Sequence, residues 1–296
     1  MRPSDLGLNR PNALLRWDPE KLVGSAEGTI LLGHPLLVFE EVPSTNDVAL
    51  ELAENGAPEG TMVIARTQLR GRGRFGREWV SAPGAGFWFS LLLRPRLTHP
   101  ESALLPTAIG AGVVLALRDI GLKAFLKWPN DILTRGRKVA GILVEGRYRG
   151  LRLDTAVVGI GLNWVSPEGG RRSLGSRATG LAGEFDPSRE ERLSPEEMLG
   201  RVLAHVERAY FLLRSAGPAP FLAAWPGLSA HLGRPVIIEG VESSEVSKPG
   251  RRAAFRPRWA LAGPLMADGS LEVVTPEGKR QRLISAEVRL RPPLLD

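Results

Sequence analysis

Four strand-like runs, "AFLKWP", "DILT", "KVAGILVEGRYR" and "LRLDTAVVGIGLNW", follow one another between residues 124 and 164, separated only by Pro129, Arg135-Gly136 and Gly150. Turns this tight join neighbouring antiparallel strands, and no helix-length segment stands between the runs to carry a parallel crossover. Regular βαβ alternation is missing. A doubly wound fold therefore gives way to an α+β fold built on a mixed, largely antiparallel sheet.

The flanking segments supply the other layers. "STNDVALELAENGAPEG" opens with Ser44 or Thr45 as a cap, has Asp47 near its first turn and stops at Gly56, which predicts a short helix. "TMVIAR" (61–66) and "GFWFSLLLRP" (86–95) read as buried strands, and residues 103–119 as a core helix ending before Gly121. Residues 166–194, rich in Gly, Ser, Arg and Pro, are expected as a surface loop, followed by helices near 195–215 and 218–230. Residues 1–38 hold turn formers without a strong period and are expected as an N-terminal extension to a main domain over 39–230. From His231 the pattern changes to short alternating strands with Asp268-Gly269 and Glu277-Gly278 as hairpin turns. Residues 231–296 are thus expected as a small β-barrel carrying an insert at 240–259.

Composition closes several routes to function. The 296 residues include no cysteine, which excludes disulfides, thiolate zinc sites and a cysteine nucleophile. His34, His99, His205 and His231 are scattered without HxxxH or HExxH spacing. The longest apolar stretch, "LLPTAIGAGVVLAL" (104–117), is shorter than the roughly 20 residues a bilayer requires and contains Pro106. The N-terminus has no apolar secretory region, so no membrane and a cytoplasmic location are expected. The net charge of +7 invites nucleic acid as a partner. Against that, the first 38 residues carry four basic and four acidic side chains, and many of the remaining arginines are dispersed.

"GRGRFGREW" (71–79) fits G-x-G-x-x-G, yet three of its nine residues are arginine. A Rossmann turn needs small side chains and a helix starting at the loop; here Arg72 and Arg74 fill the variable positions and "SAPGAG" follows. A kinase glycine loop needs valine where Glu78 stands, and the chain has neither HRD nor DFG. Alone, the stretch reads equally as a mobile basic surface loop.

It is accompanied, in order, by "STN" (44–46) before it and "KWPND" (127–131), "GRKVAGILVE" (136–145) and "GIGLN" (159–163) after it. With these five motifs, over roughly residues 39–290, the chain closely resembles the biotin protein ligases, which adenylate biotin and transfer it to a lysine of a carrier protein. The resemblance implies a class II synthetase-like catalytic fold shared with lipoyl ligases, an SH3-like C-terminal barrel, and biotin and ATP as substrates with Mg2+ accompanying ATP. The implied partner is a biotin carboxyl carrier protein domain. Family members often pair through sheet edges, which leaves a homodimer open. Some carry an N-terminal winged helix-turn-helix; residues 1–38 are too short and charge-balanced for one, so no specific DNA binding is expected.

The resemblance also assigns residues. Ser44, Thr45, Asn46 and Gln68 would meet the biotin ring system, with Arg72, Gly73, Arg74, Lys138 and Gly141 completing the biotin site. Arg74, Arg77, Trp79, Asn130, Asp131, Lys138 and Asn163 would serve ATP, with Trp79 on adenine, and Arg74, Lys138 and Asp131 would carry the chemistry. Trp128 would line the biotin pocket. Arginine suits the task because it stays ionised and binds carboxylate or phosphate through parallel donors. The glycines would let the loop fold over an adenylate and exclude water. Each residue has a plainer reading: Ser44 and Thr45 as caps, Gln68 as a solvated loop residue, Lys138 as an exposed strand lysine, the tryptophans as core, and Asn130, Asp131 and Asn163 as turn formers. Two other functions compete. A lipoate or octanoate ligase or transferase shares the fold, and a non-catalytic nucleic-acid-binding protein would use the arginine loop with Lys248, Arg251, Arg252, Arg256 and Arg258.

Overall fold

The computed structural model describes residues 17–166, 178–184, 193–239 and 258–290. Its main sheet contains β1 (Leu36–Val42), β2 (Met62–Gln68), β3 (Gly86–Leu93), the two-residue β4 (Leu97–Thr98), β5 (Ala124–Lys127), β6 (Asp131–Thr134), β7 (Arg137–Arg149) and β8 (Arg152–Asn163). The order is β1-β2-β3-β8-β7-β6-β5, with β4 beside β8. Only β1 and β2 run parallel; the other pairs are antiparallel, as the tight turns between runs require. The β6–β7 turn places Arg135 and Gly136 at φ +46° and +72°, the left-handed pair that a two-residue hairpin demands.

Both faces of the sheet are covered, and β3, an unbroken apolar run, is buried along its whole length. On one face lie α4 (Leu105–Asp119) and α5 (Pro195–Ala216), with α6 (Ala219–Leu228) beside them; α3 (His99–Ser102) precedes α4. A Cβ on Gly112 would stand 2.8 Å from Val206 Cα, so the missing side chain is what lets α4 and α5 touch. On the other face α2 (Thr45–Glu54) packs Ala49 against Val63, Leu92 and Val157. The segment His99–Asp119 is long and apolar enough to cross a membrane, but 72% of it is buried inside the protein. It is a core helix.

Residues 17–38 depart from the expected extension. The boundary after residue 38 falls inside β1, and before it α1 (Pro19–Ser25) is capped by the Asp18 side chain. Trp17, Leu22, Ala26 and Leu32 are buried in the main core. Glu207 on α5 accepts the backbone N–H groups of Ile30, Leu31 and Leu32 at 2.8–2.9 Å. Four isolated anchors and a seven-residue helix leave no period in the sequence, which is why this segment reads as loose.

The C-terminal region forms a five-stranded antiparallel sheet of β9 (Pro235–Glu239), β10 (Arg258–Leu265), β11 (Leu271–Val274), β12 (Arg280–Leu283) and β13 (Glu287–Leu290), in the order β12-β11-β10-β9-β13. Its hairpins turn where expected, with Gly269 and Gly278 at positive φ. Of the insert at 240–259 only the last two residues are described; Lys248, Arg251, Arg252 and Arg256 lie outside the described residues, as does most of 166–194. One continuous apolar core runs from Trp17 to Val288.

Candidate active site

Two clusters of different character meet along one side of the main sheet. The first is closed and built mainly from uncharged polar groups, with the Glu145 carboxylate at its edge. Ser44, Thr45 and Asn46 begin α2 and are 2–4% exposed. Thr45 donates its N–H (2.8 Å) and hydroxyl (3.0 Å) to Gln68 Oε1, and Gln68 Nε2 donates to Ser81 Oγ (2.8 Å). Ser90 Oγ lies 2.7 Å from Thr45 Oγ1 and 2.6 Å from Asn46 Oδ1, and Asn46 Nδ2 donates to Glu145 Oε2 at 2.6 Å. The Ser44 side chain makes no capping bond, so the simple cap reading does not account for it. Gly159 forms the floor: a Cβ there would stand 2.3 Å from Asn46 Oδ1.

The second cluster is charged. Asp131 at the start of β6 receives Lys127 Nζ at 2.9 Å and Lys138 Nζ at 2.5 Å. Burial pushes the Asp131 carboxyl up, but the charges of Lys138 and Lys127 outweigh it and hold the group at about 2. Two cations around one anion leave a positive charge in excess, the electrostatics of an anion receptor. Stripping one partner from such a buried set costs about 3–5 kcal/mol, because the remaining charges are left uncompensated.

The arginine loop joins the two clusters. Its root lies beside Gln68: a Cβ on Gly71 would stand 2.3 Å from Trp79 O and 3.2 Å from Gln68 Nε2. Arg72 reaches Asp47 at 2.7 Å and Glu145 at 3.2 Å, and the Asp47 hydrogen bond raises its already high pKa. Arg74 donates to Ser285 Oγ (3.0 Å) and stacks on Phe75, with burial lowering its pKa from the ordinary arginine value. Arg77 pairs with Glu287. Phe75 is 56% exposed at φ +58°, and with Gly76 at φ +69° it turns the loop back. Both C-terminal partners lie in or just before β13, so the loop spans from the main sheet to the second one.

Trp79 lies between the clusters. Cβ atoms on Gly141 and Gly161 would stand 2.8 Å and 2.4 Å from its ring, so two glycines on neighbouring strands make its seat. Lys138 Nζ sits 4.9 Å from the ring centroid, within cation–π range. The indole Nε1 is buried and has no hydrogen-bond partner among the described residues.

Three expected ligands are otherwise engaged. Asn130 Nδ2 donates to Ile142 O at 2.6 Å, bracing the β6–β7 hairpin, and Asn163 Nδ2 donates to Thr179 O at 3.2 Å. Trp128, expected against biotin, is instead 1% exposed at the seam between the two sheets, with Nε1 donating to Gly269 O (3.0 Å) and its backbone N–H to His231 Nε2 (2.9 Å). A buried indole takes whichever acceptor the fold supplies, and here that is the 268–269 turn. Burial, helped by Lys127, drives His231 down to about 3, so it remains neutral. Sequence reasoning missed Asp47, Lys127 and Glu145, although all three stand inside or next to a quoted motif. It had no signal for Ser81, Ser90, Ser285 or Glu287, which the fold alone brings in.

Residues 38–163, the segment holding both clusters, match the biotin/lipoate A/B protein ligase family. The biotin--[acetyl-CoA-carboxylase] ligase of Paracoccus denitrificans is 37% identical over 203 residues, 66% of this chain and 80% of that protein. This chain belongs to the biotin/lipoate A/B protein ligase family. Within the family, the bifunctional ligase/repressor BirA of Bacillus subtilis is 33% identical over 207 residues, which span 69% of this chain and only 62% of that protein. Among solved structures, the biotin protein ligase from Aquifex aeolicus in complex with biotin and ATP superposes with a TM-score of 0.66 at 27% identity, covering 86% of this chain and 99% of that one.

Proposed function

We propose that this chain is a biotin protein ligase. It forms biotinyl-5'-AMP from biotin and ATP, then transfers biotin to one lysine of a biotin carboxyl carrier domain. The observation that carries the reading is the pairing of a closed neutral cluster with an anion receptor of net charge +1, bridged by an arginine loop. A uniformly cationic surface would serve polyanions; a mainly uncharged polar cluster beside a cationic one suits an uncharged ring system whose tail ends in a carboxylate.

In the first half-reaction a biotin carboxylate oxygen attacks the α-phosphorus of ATP, the bond to the β-phosphate bridging oxygen breaks, and pyrophosphate leaves. Two anions must approach, so Lys138 and Arg74 neutralise charge in the transition state. Thr45, Asn46 and Gln68 would hold the ureido ring by exchanging the hydrogen bonds they make with one another and with their neighbours. Mg2+ would enter on the phosphates; among the described residues no group of three His, Cys, Asp or Glu side chains gathers to hold a metal independently. In the second half-reaction a neutral lysine amine attacks the acyl carbon, the bond from that carbon to the phosphate oxygen breaks, and AMP departs while its phosphate or water takes the amine's proton. Asp131, ionised down to about pH 2, is too weak a base to take the amine's proton; it would act as a hydrogen-bond acceptor that orients the amine while holding Lys127 and Lys138 in place. The C-terminal sheet, read as an SH3-like module over 231–290, supplies Ser285 and Glu287 to the loop and would meet the carrier beside it. On this reading the reaction would run in the cytoplasm.

Pyrophosphate release tests the reading. With ATP present, biotin should drive it and lipoate or octanoate should not. Release driven by an acid lacking the ureido ring, at equal or higher rate, would move the assignment to the lipoyl side of the family.

A further inference from the structure

Thr179 reaches both ends of the proposed nucleotide half. Its N–H donates to Lys138 O at 2.8 Å, its carbonyl accepts from Asn163 Nδ2, and neighbouring Ala178 pairs in parallel with Lys138. Its hydroxyl turns inward and donates to Glu184 Oε1 at 2.8 Å. Glu184 is 2% exposed, deeper than a carboxylate goes without compensation. The compensation comes from the β6–β7 turn: Arg137 Nη2 donates to Oε1 at 2.5 Å, and Arg135 Nε, 3.2 Å from Oε2, adds charge without hydrogen-bond alignment, so Oε2 has no hydrogen-bond partner among the described residues. The segment between is wedged in place. A Cβ on Gly180 would stand 2.2 Å from the Val165 carbonyl carbon, and Ala182 N–H donates to Trp164 O at 2.9 Å.

Lys138 is thus held at two points, its ammonium by Asp131 and its backbone by Thr179. The second hold depends on Glu184. We propose that Glu184 is a positioning residue for adenylation: through Thr179 it fixes the Lys138 backbone and the Asn163 amide, and so sets where the nucleotide is met. The inference rests on the ligase reading for its ligand. It predicts a larger effect on nucleotide than on biotin: Lys138 serves both on the ligase reading, but Asn163 is assigned to nucleotide alone, and among the bonds described Thr179 has no link to the Thr45 cluster.

The test compares binding of a non-hydrolysable ATP analogue and of biotin, by calorimetry, in the full chain and in Glu184→Ala, Glu184→Gln and Thr179→Val, with melting temperatures alongside. Losing a buried charged hydrogen bond should weaken the nucleotide about tenfold in Glu184→Ala and in Thr179→Val, while biotin affinity stays within about twofold. Glu184→Gln keeps an acceptor for the Thr179 hydroxyl and should recover to within about threefold of the parent. Should Glu184→Ala fail to fold, Thr179→Val, which keeps the side-chain shape, decides the matter. Unchanged nucleotide affinity in a folded variant, or equal losses for nucleotide and biotin, would overturn the proposal. A parent chain that binds the analogue but releases no pyrophosphate would sink the ligase reading alone; one that binds no nucleotide would sink both.

Discussion

The cluster around Thr45 and the arginine loop, which the proposed reaction assigns to one substrate, are held together by opposite physical means. Thr45, Asn46, Gln68, Ser81 and Ser90 are tied to one another by short hydrogen bonds at the root of a helix and on two strands, buried or half-buried. The arginines stand on a turn whose residues 75–78 are exposed, and each has a stand-in partner: Asp47 and Glu145 for Arg72, Ser285 for Arg74, Glu287 for Arg77. Groups already fixed by one another cost little further ordering if a rigid ligand takes over their bonds. A loop pinned by exchangeable surface pairs gives up little when it lets go, since such pairs contribute about 0–1 kcal/mol. The lesson is a division of labour in which recognition is built in and closure is borrowed from the second sheet.

The largest effect should follow from breaking the anion receptor. Lys138→Ala removes the cation that the proposed mechanism puts next to the reacting carboxylate and should lower kcat for pyrophosphate release by about 10²–10³-fold, while calorimetric biotin affinity falls far less. Equal losses in both would show that the clusters are not separable. Next in size, Gly159→Ala drives a methyl group to 2.3 Å from Asn46 Oδ1 and should break the neutral recess. Biotin affinity should fall by about 10–100-fold, with about 1–3 kcal/mol of stability lost in chemical denaturation, while nucleotide affinity holds.

The seam sharpens the comparison through pH. His231 binds its proton at about 3 when folded, below its unfolded value of 6.5, so acid favours the unfolded chain. Stability is intact above pH 6.5 and should fall by up to about 1.4 kcal/mol per pH unit below it, until the folded value is reached. Denaturation midpoints from pH 7 to 4 should show this acid limb, and His231→Gln, which can still accept from Trp128 N–H, should flatten it. The smallest effect belongs to the loop pin. Glu287→Gln should change global stability by no more than about 1 kcal/mol, yet limited proteolysis should cut the 71–79 loop faster. An unchanged cutting rate would argue that the second sheet does not hold the loop.

Much of this was legible before any coordinates. The hairpin run at 124–164 dictated the antiparallel half of the sheet, and the turn pairs 268–269 and 277–278 announced the second sheet, because tight turns demand particular residues. The five motifs named the neighbourhood that the fold assembles. Long-range pairing escaped. Nothing near Ser90 says that it will lie 2.7 Å from Thr45, and nothing at Glu207 says that it will collect three amides from residues 30–32. Trp128 misled for the same reason: an indole inside a binding motif reads as a pocket wall until the fold offers Gly269 O to its N–H. Local sequence encodes turns and periods; which distant groups meet depends on register and packing.

The most direct test of the central claim is the intact mass of a biotin carboxyl carrier domain after incubation with this protein, biotin and MgATP. One biotinyl group per carrier, absent when the acceptor lysine is replaced by arginine and absent with Lys138→Ala enzyme, is the predicted result. A folded protein that binds biotin and ATP yet leaves several such carriers at their starting mass would contradict it.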